Sequence, residues 1–291
     1  MAMDTEASLL RYRDADAWPA EEALAAMLDS QAVAVCAVRQ AIPALAAAVT
    51  AAAVRLRTEG RLVYAGAGAS GRLAVQDGVE LHPTFGWPHA RLCTLVAGGD
   101  AALVRAVEGA EDDAAAGERE ATALGLGPAD VVVSVAASGT TRYTSAVQAS
   151  ARQAGTLTVA LANNPGAPLL MDADHAIALP TGPEFLAGST RMTAGTAQKI
   201  ALNLFSTRLM TELGRVYRGL MVNVVPSNAK LVDRAHRIVA ALTGVDVPTA
   251  AQAWEAAGRD IAVAVLMLDG LDRQAAQARL AAAGSLRRAR G

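Results

Sequence analysis

Five short apolar runs, rich in β-branched residues, lie at 62–65, 92–97, 131–136, 157–161 and 175–179. No other feature limits the fold so strongly. Runs of this length with little polar alternation are strands buried on both faces. The segments between them are long enough for a helix or a turn. Strand and helix alternating in this way imply an α/β fold, a parallel five-stranded sheet sandwiched by helices. Hydrophobic residues make up 53% of the 291-residue chain, which is ample for such a core.

Outside these runs the chain reads as helix. Trp18-Pro19-Ala20-Glu21-Glu22 places proline and two acids in a first helical turn. Ala-rich helix is expected from there to about residue 58, interrupted near Pro43. A long Ala/Leu-rich helix follows Thr190 to about Leu213, and another covers 228–242. Beyond Gly244 come three short amphipathic segments, 248–257, 260–268 and 272–283, divided by Gly258 and Gly270. The basic tail Arg287-Arg288-Ala289-Arg290 is expected to be a solvated end. The expected organisation is an N-terminal helical segment (1–53), a sheet domain (54–217) and a C-terminal helical region (218–291). The last part of that region, from about 244, reads as a small three-helix domain.

The first run ends in Gly66-Ala67-Gly68-Ala69-Ser70-Gly71, a G-x-G-x-x-G pattern. A dinucleotide site needs an acid about 20 residues further on for the ribose. The acid that follows the second strand is Asp100, which lies too far along. A second loop, Ala137-Ser138-Gly139-Thr140-Thr141, follows the third run, and Gly188-Ser189-Thr190 is read as opening the long helix. Strand ends that meet helix N-termini present free N–H groups and the positive end of the helix dipole. Gly68, Ser70, Gly71, Ser138, Gly139, Thr140, Thr141, Ser189 and Thr190 are therefore candidate contacts for a phosphate monoester. The rival reading is that these hydroxyls cap helices. Three such loops on one sheet favour phosphate.

The formal net charge of −2 leaves no electrostatic footprint for nucleic acid, and 3% aromatic residues give little to stack bases on. The N-terminal helices show no helix-turn-helix pattern. Cys36 and Cys93 have no metal or redox spacing and read as two buried reduced thiols. No metal and no cofactor is expected. The N-terminus has mixed charges and no apolar signal core. The longest apolar run, 41–54, is shorter than the roughly 20 residues that span a bilayer. The expectation is a cytoplasmic protein without a membrane segment.

The loops 66–71 and 137–141 resemble those of a sugar isomerase (SIS) domain. The stretch Gly182-Pro183-Glu184-Phe185-Leu186-Ala187-Gly188-Ser189-Thr190-Arg191-Met192-Thr193-Ala194-Gly195-Thr196-Ala197-Gln198-Lys199 is more specific. It resembles the signature shared by N-acetylmuramic acid 6-phosphate etherases and the glucokinase regulatory protein. Asp77 with Glu80, Pro83-Thr84-Phe85-Gly86, Ala97-Gly98-Gly99, Glu108-Gly109-Ala110-Glu111-Asp112 and Leu220-Met221-Val222 extend the likeness to the etherases, and Thr5-Glu6 matches their N-terminal element. The likeness runs over about residues 45 to 285. Thr193 stands where the family usually has Lys, and Ala229 where it has an acid.

The resemblance implies cleavage of the D-lactyl ether of N-acetylmuramic acid 6-phosphate with water, giving N-acetylglucosamine 6-phosphate and D-lactate, in cell-wall sugar recycling. It implies a small-molecule sugar-phosphate ligand, no cofactor and a homodimer. By position Glu80 matches the family's proton donor to the lactyl oxygen. Glu111 matches the second catalytic acid, read as the base at C2, with Glu108 as its rival; which carboxylate is acid and which is base stays open. Gly109 suggests a backbone break that aims one acid inward. A general acid here would gain a raised pKa by partial burial beside its partner. His82 reads as surface or packing rather than as a proton shuttle. Glu184 holds a sugar hydroxyl or supports the backbone, and Arg191 pairs with phosphate or, preferably, with an acid inside the fold. Two other classes remain open: an aldose–ketose sugar-phosphate isomerase, and a non-catalytic sugar-phosphate-sensing regulator.

Overall fold

A computed structural model describes residues 4–291; residues 1–3 of the expected N-terminal segment lie outside it. The chain divides into two compact units. One comprises the chain up to Gly78 together with 90–206, and the other comprises 79–89 with 207–291.

The first unit is built on five parallel strands. These are β1 (Leu62–Gly66), β2 (Leu92–Val96), β3 (Val131–Val135), β4 (Leu157–Ala162) and β5 (His175–Ala178), in the order β2-β1-β3-β4-β5. All five expected strands are present. Every residue of β1, β3 and β4 is buried, as their unbroken apolar runs require. On one face α5 (Ala114–Leu124) and α6 (Arg142–Gln153) pack Ala121, Tyr143, Val147 and Ala151 against Val63, Ala65, Leu95 and Val132. Against Tyr64, which points the opposite way along β1, lies α2 (Gly68–Val79). The short helices α4 (Ala101–Val104) and α7 (Pro168–Met171) follow β2 and β4. Helix α8 (Thr193–Glu212) carries the chain out of this unit.

Helix α1 (Ala20–Leu56) packs along β3, β4 and β5. It runs straight through Pro43, where a break is expected. Proline removes one main-chain bond and costs a helix interior about 3 kcal/mol. Eleven buried side chains, from Ser30 and Ala34 to Leu56 at three- and four-residue steps, hold the helix together across it. Uninterrupted, α1 is long and apolar enough to cross a membrane by length and composition alone, and 39% of its most apolar window is buried in the structure. Leu24, Leu28, Val35 and Ile42 are exposed along it. The cysteines also differ from expectation: Cys36 is exposed on α1 and Cys93 is half-buried on β2. Position 36 falls between the buried positions 34 and 37 of the helical repeat, on the outer side.

At the N-terminal edge of the sheet, Asp130 binds the Arg61 main-chain N–H (2.7 Å), its guanidinium (2.6 Å) and the Gly127 N–H (3.0 Å). Arg91 donates to the carbonyls of Leu56, Glu59 and Gly60, closing the end of α1.

The second unit has a core of Tyr217, Ile238, Val239, Leu242, Trp254, Val265, Leu266 and Leu286. It contains α3 (Leu81–Phe85), a ribbon of β6 (Val216–Tyr217) and β7 (Leu220–Met221), α9 (Ala229–Thr243), α10 (Val247–Ala256), α11 (Ile261–Leu268), α12 (Arg273–Ala283) and α13 (Leu286–Arg290). Asn228, Asp246, Asp260, Asp272 and Ser285 cap α9 to α13, each accepting a bond from the N–H three residues on. Helix α11 is not amphipathic: Ile261 to Leu266 are all buried, which makes it the central helix of the unit. The basic tail is not a loose solvated end either. It forms α13, which buries Leu286 and Ala289, while Arg290 clasps Asp269 (2.7 and 2.8 Å) and the Leu242 carbonyl (3.0 Å).

Candidate functional site

The strand order reverses between β1 and β3, and open α/β sheets bind ligands outside the strand C-termini at such a point. Gly66 and Val135 pair at the ends of these strands, so the loops 67–71 and 136–141 begin side by side. Gly66 and Gly71 pack backbone to backbone; a Cβ on Gly66 would lie 2.9 Å from Gly71 Cα. The glycine pattern is thus a packing requirement of this strand-to-helix turn. Gly68 begins α2, Ser70 is buried in its first turn, and Gly71 N–H donates to the Ala67 carbonyl. In the second loop Ser138 Oγ accepts from the Thr140 N–H (3.2 Å) and hydroxyl (3.1 Å), and Gly139 packs on Ala167. Thr141 is the N-cap residue of α6, yet its hydroxyl makes no capping bond.

The third loop differs from its reading. Helix α8 opens at Thr193, three residues past Thr190. Main-chain bonds from Ser189 N–H to Leu186, Thr190 N–H to Gly188 and Met192 N–H to Ser189 fold 186–192 into turns first. The N-terminus of α8 is occupied by Glu184, fully buried, whose two oxygens accept from the Thr193 N–H (2.9 Å) and Ala194 N–H (2.8 Å). A carboxylate there meets both the free amides and the helix dipole. Arg191 is exposed and makes no ion pair among the described residues, so the expected acid partner inside the fold is absent. Its turn is held by main-chain bonds instead.

Glu111 sits in a 3-10 turn, Ala110–Asp112, behind Gly109 with φ +70°. The expected break is there, but it does not turn Glu111 inward: Glu111 and Glu108 are both exposed. Ala110 packs on the cluster that contains Ala67, and Asp113 caps α5 through the Ala116 N–H (2.9 Å). Arg72, one residue past the glycine loop, donates to the carbonyls of Ala102 (2.8 Å) and Arg105 (3.3 Å) and so holds the segment that leads to Glu111.

In the second unit Glu80 immediately precedes α3, is exposed, and makes no cap bond. The partial burial expected of the general acid is not found: Glu80 and Glu111 are both exposed. Leu81 and Phe85 anchor α3, and Arg215 donates to the carbonyls of Phe85 and Gly86 (2.8 Å each). His82 Nδ1–H donates to the Trp87 carbonyl (2.9 Å), and its ring stacks on His89 at 3.8 Å.

Residues 44–151 match the glucokinase regulatory protein N-terminal SIS domain, and residues 112–208 match the SIS domain. An N-acetylmuramic acid 6-phosphate etherase of Deinococcus radiodurans is 53% identical over 274 residues, 94% of this chain and 90% of that protein. The chain belongs to the N-acetylmuramic acid 6-phosphate etherase family. The etherases of Serratia proteamaculans and Cronobacter sakazakii are 50% and 47% identical, over 84% and 95% of this chain and 82% and 93% of their own lengths.

Within this member of the etherase family the structure gives Asp77 a place and adds polar groups, Asn163 and Asn164, that the sequence did not single out. Asp77, buried in the last turn of α2, accepts from the Tyr64 hydroxyl (2.6 Å), Asn203 Nδ2 (2.6 Å) and Ser206 Oγ (3.0 Å), joining β1, α2 and α8. Burial first, then the Asp77 charge and hydrogen bond, push the Tyr64 phenol well above its ordinary pKa. Asn163 takes a bond from Gln198 (2.9 Å) and donates to the Leu179 carbonyl (3.0 Å), which fixes α8 to the end of β4. Polar residues directly after buried strands were the only signal for Asn163 and Asn164.

Proposed function

We infer that the protein cleaves the D-lactyl ether of N-acetylmuramic acid 6-phosphate with water, as a carbon–oxygen lyase of cell-wall sugar recycling. The observation that carries this is the 53% identity to an etherase over 94% of the chain. The chemistry needs only proton transfers. In the open-chain sugar the C1 aldehyde acidifies the C2 proton, and the lactyl oxygen on C3 is a β leaving group. Glu111 first takes the C2 proton, leaving an enolate on the C1 carbonyl; the C3–O bond then breaks as Glu80 gives its proton to the departing lactate oxygen, and water adds to the resulting double bond, OH at C3 and H at C2. Each positioned acid or base contributes about 10²–10⁴-fold. Exposure of both carboxylates leaves access for that water.

In this reading the phosphate is held by Ser70, Ser138, Thr140, Thr141, Ser189 and Thr190, with the amides around Gly68, Gly71 and Gly139. The uncapped N-terminus of α6 supports it, since Thr141 leaves that end open. For Glu184 the backbone role is favoured over a sugar contact, because both its oxygens are engaged. We further propose a cytoplasmic homodimer without cofactor, membrane or nucleic-acid partner, in which 54–217 form the SIS domain between a 1–53 segment and a 218–291 region. The exposed apolar stripe on α1 supports a second copy as partner. Purified protein mixed with N-acetylmuramic acid 6-phosphate should release D-lactate and N-acetylglucosamine 6-phosphate; release of a ketose phosphate and no lactate would overturn the assignment.

A further inference from the structure

One joint ties the proposed phosphate loop that follows β3 to the one that precedes α8. The joint is a residue from the far N-terminus. Thr5 is fully buried. Its N–H donates to Asn164 Oδ1 (3.2 Å), and its hydroxyl accepts from Asn164 Nδ2 (3.0 Å). Asn164 Nδ2 also donates to the Ser138 carbonyl (3.3 Å). On the other side the Thr5 carbonyl accepts from the Gly188 N–H (3.3 Å). A single threonine therefore spans from the Ser138 loop to the Gly188 loop. Gly188, at φ +74°, has no Cβ, and the Glu6 carboxylate occupies that space; a Cβ there would lie 2.9 Å from Glu6 Oε2. Further along the same segment Tyr12 packs on Phe185 at 4.5 Å, and Trp18 meets both rings edge-on at 6.1 and 6.4 Å. Aromatic packing holds the strap, and the threonine sets the position of the loops.

We propose that Thr5 is a positioning residue of the anion site, which fixes the Ser138–Thr141 and Gly188–Thr190 loops at one separation so that both sets of hydroxyls engage one phosphate. This rests on the reading that those loops hold the substrate's phosphate. An anion bound by several neutral donors depends on their placement, because no single contact is strong. The segment acts on binding, not on the proton transfers.

Thr5→Val keeps the shape and removes the hydroxyl. It should weaken N-acetylglucosamine 6-phosphate and inorganic phosphate in calorimetry by about tenfold, the scale of one buried hydrogen bond. KM should rise by the same factor, and kcat at saturation should stay within about twofold. Thr5→Ser should restore wild-type binding, and unphosphorylated N-acetylglucosamine should not report the change. Ser138→Ala and Ser189→Ala, run in parallel, test the underlying site. If they lose the phosphate ligands and Thr5→Val does not, the positioning role is overturned and the site stands. If they bind as wild type, the site reading falls and the proposal with it. Hydrogen exchange on the unaltered protein covers the case in which Thr5→Val fails to fold. Phosphate should slow the Thr5 and Gly188 amides together with 138–141; protection of 138–141 alone would overturn the proposal.

Discussion

Glu80 and Glu111 carry the chemistry in the proposed reaction, and their roles separate on neighbouring carbons. Glu80→Gln should abolish lactate release yet still allow the C2 hydrogen to exchange with deuterated water, since base and aldehyde remain. Glu111→Gln should lose both. Proton NMR at C2, with N-acetylglucosamine 6-phosphate or substrate, reads the exchange, and the reverse pattern would exchange the roles. Full lactate release in both variants would remove these acids from the mechanism. Glu184 has a different expected failure. Glu184→Gln turns one acceptor of the α8 amides into a donor, and a buried N–H left unmatched costs about 1–3 kcal/mol. Its unfolding free energy from urea titration should fall by that amount, with KM near wild type; an unchanged unfolding free energy and a raised KM would instead place Glu184 on the sugar.

At the level of elements, the loops at the two edges of the sheet do different work. The C-terminal edge carries the hydroxyl loops. The N-terminal edge is tied by Asp130, where burial pushes the carboxyl pKa up and the stronger pull of the Arg61 side chain and the Arg61 and Gly127 amides holds it below its usual value. The unfolded chain therefore binds this proton more readily than the folded one, and the stability Asp130 contributes is complete above its unfolded pKa of about 3.9. It is lost as pH falls below that value through the lower folded pKa. Asp130→Asn should be less stable than wild type at pH 6, with the gap closing below about pH 4 in denaturant titrations. A gap independent of pH would mean that the Asp130 charge is not what joins β1 to β3. Loop boundaries were less legible than strands. Helix α8 starts three residues beyond Thr190 because the residue that caps it, Glu184, lies nine positions upstream of Thr193, outside the reach of a local capping rule.

For the whole molecule, the exposed apolar side of α1 is the surface that bears on assembly in solution. Leu24, Leu28, Val35 and Ile42 are 64%, 71%, 53% and 50% exposed and recur at four- and seven-residue steps along one side of the helix. If this stripe joins two copies, light scattering should give twice the chain mass of 29.7 kDa for wild type and a single chain mass for Leu28→Glu with Val35→Glu. A dimeric double variant would place the interface elsewhere, and a monomeric wild type would remove the dimer.

The sequence by itself determined the five strands, the strand–helix alternation that makes them parallel, and the family. Each of these is written in a local code: an apolar run, a change of period between runs, or a contiguous motif. Tertiary structure alone decided that α1 continues through Pro43, that α11 is buried all round, that the tail closes as α13, and that Thr5 reaches Asn164 across 159 positions. The reason is physical. Proline's local cost and a polar tail's preference for water are each a few kcal/mol at most, and packing against distant residues can outweigh both. A hydrogen bond between residues far apart in the chain leaves no periodic trace in either segment.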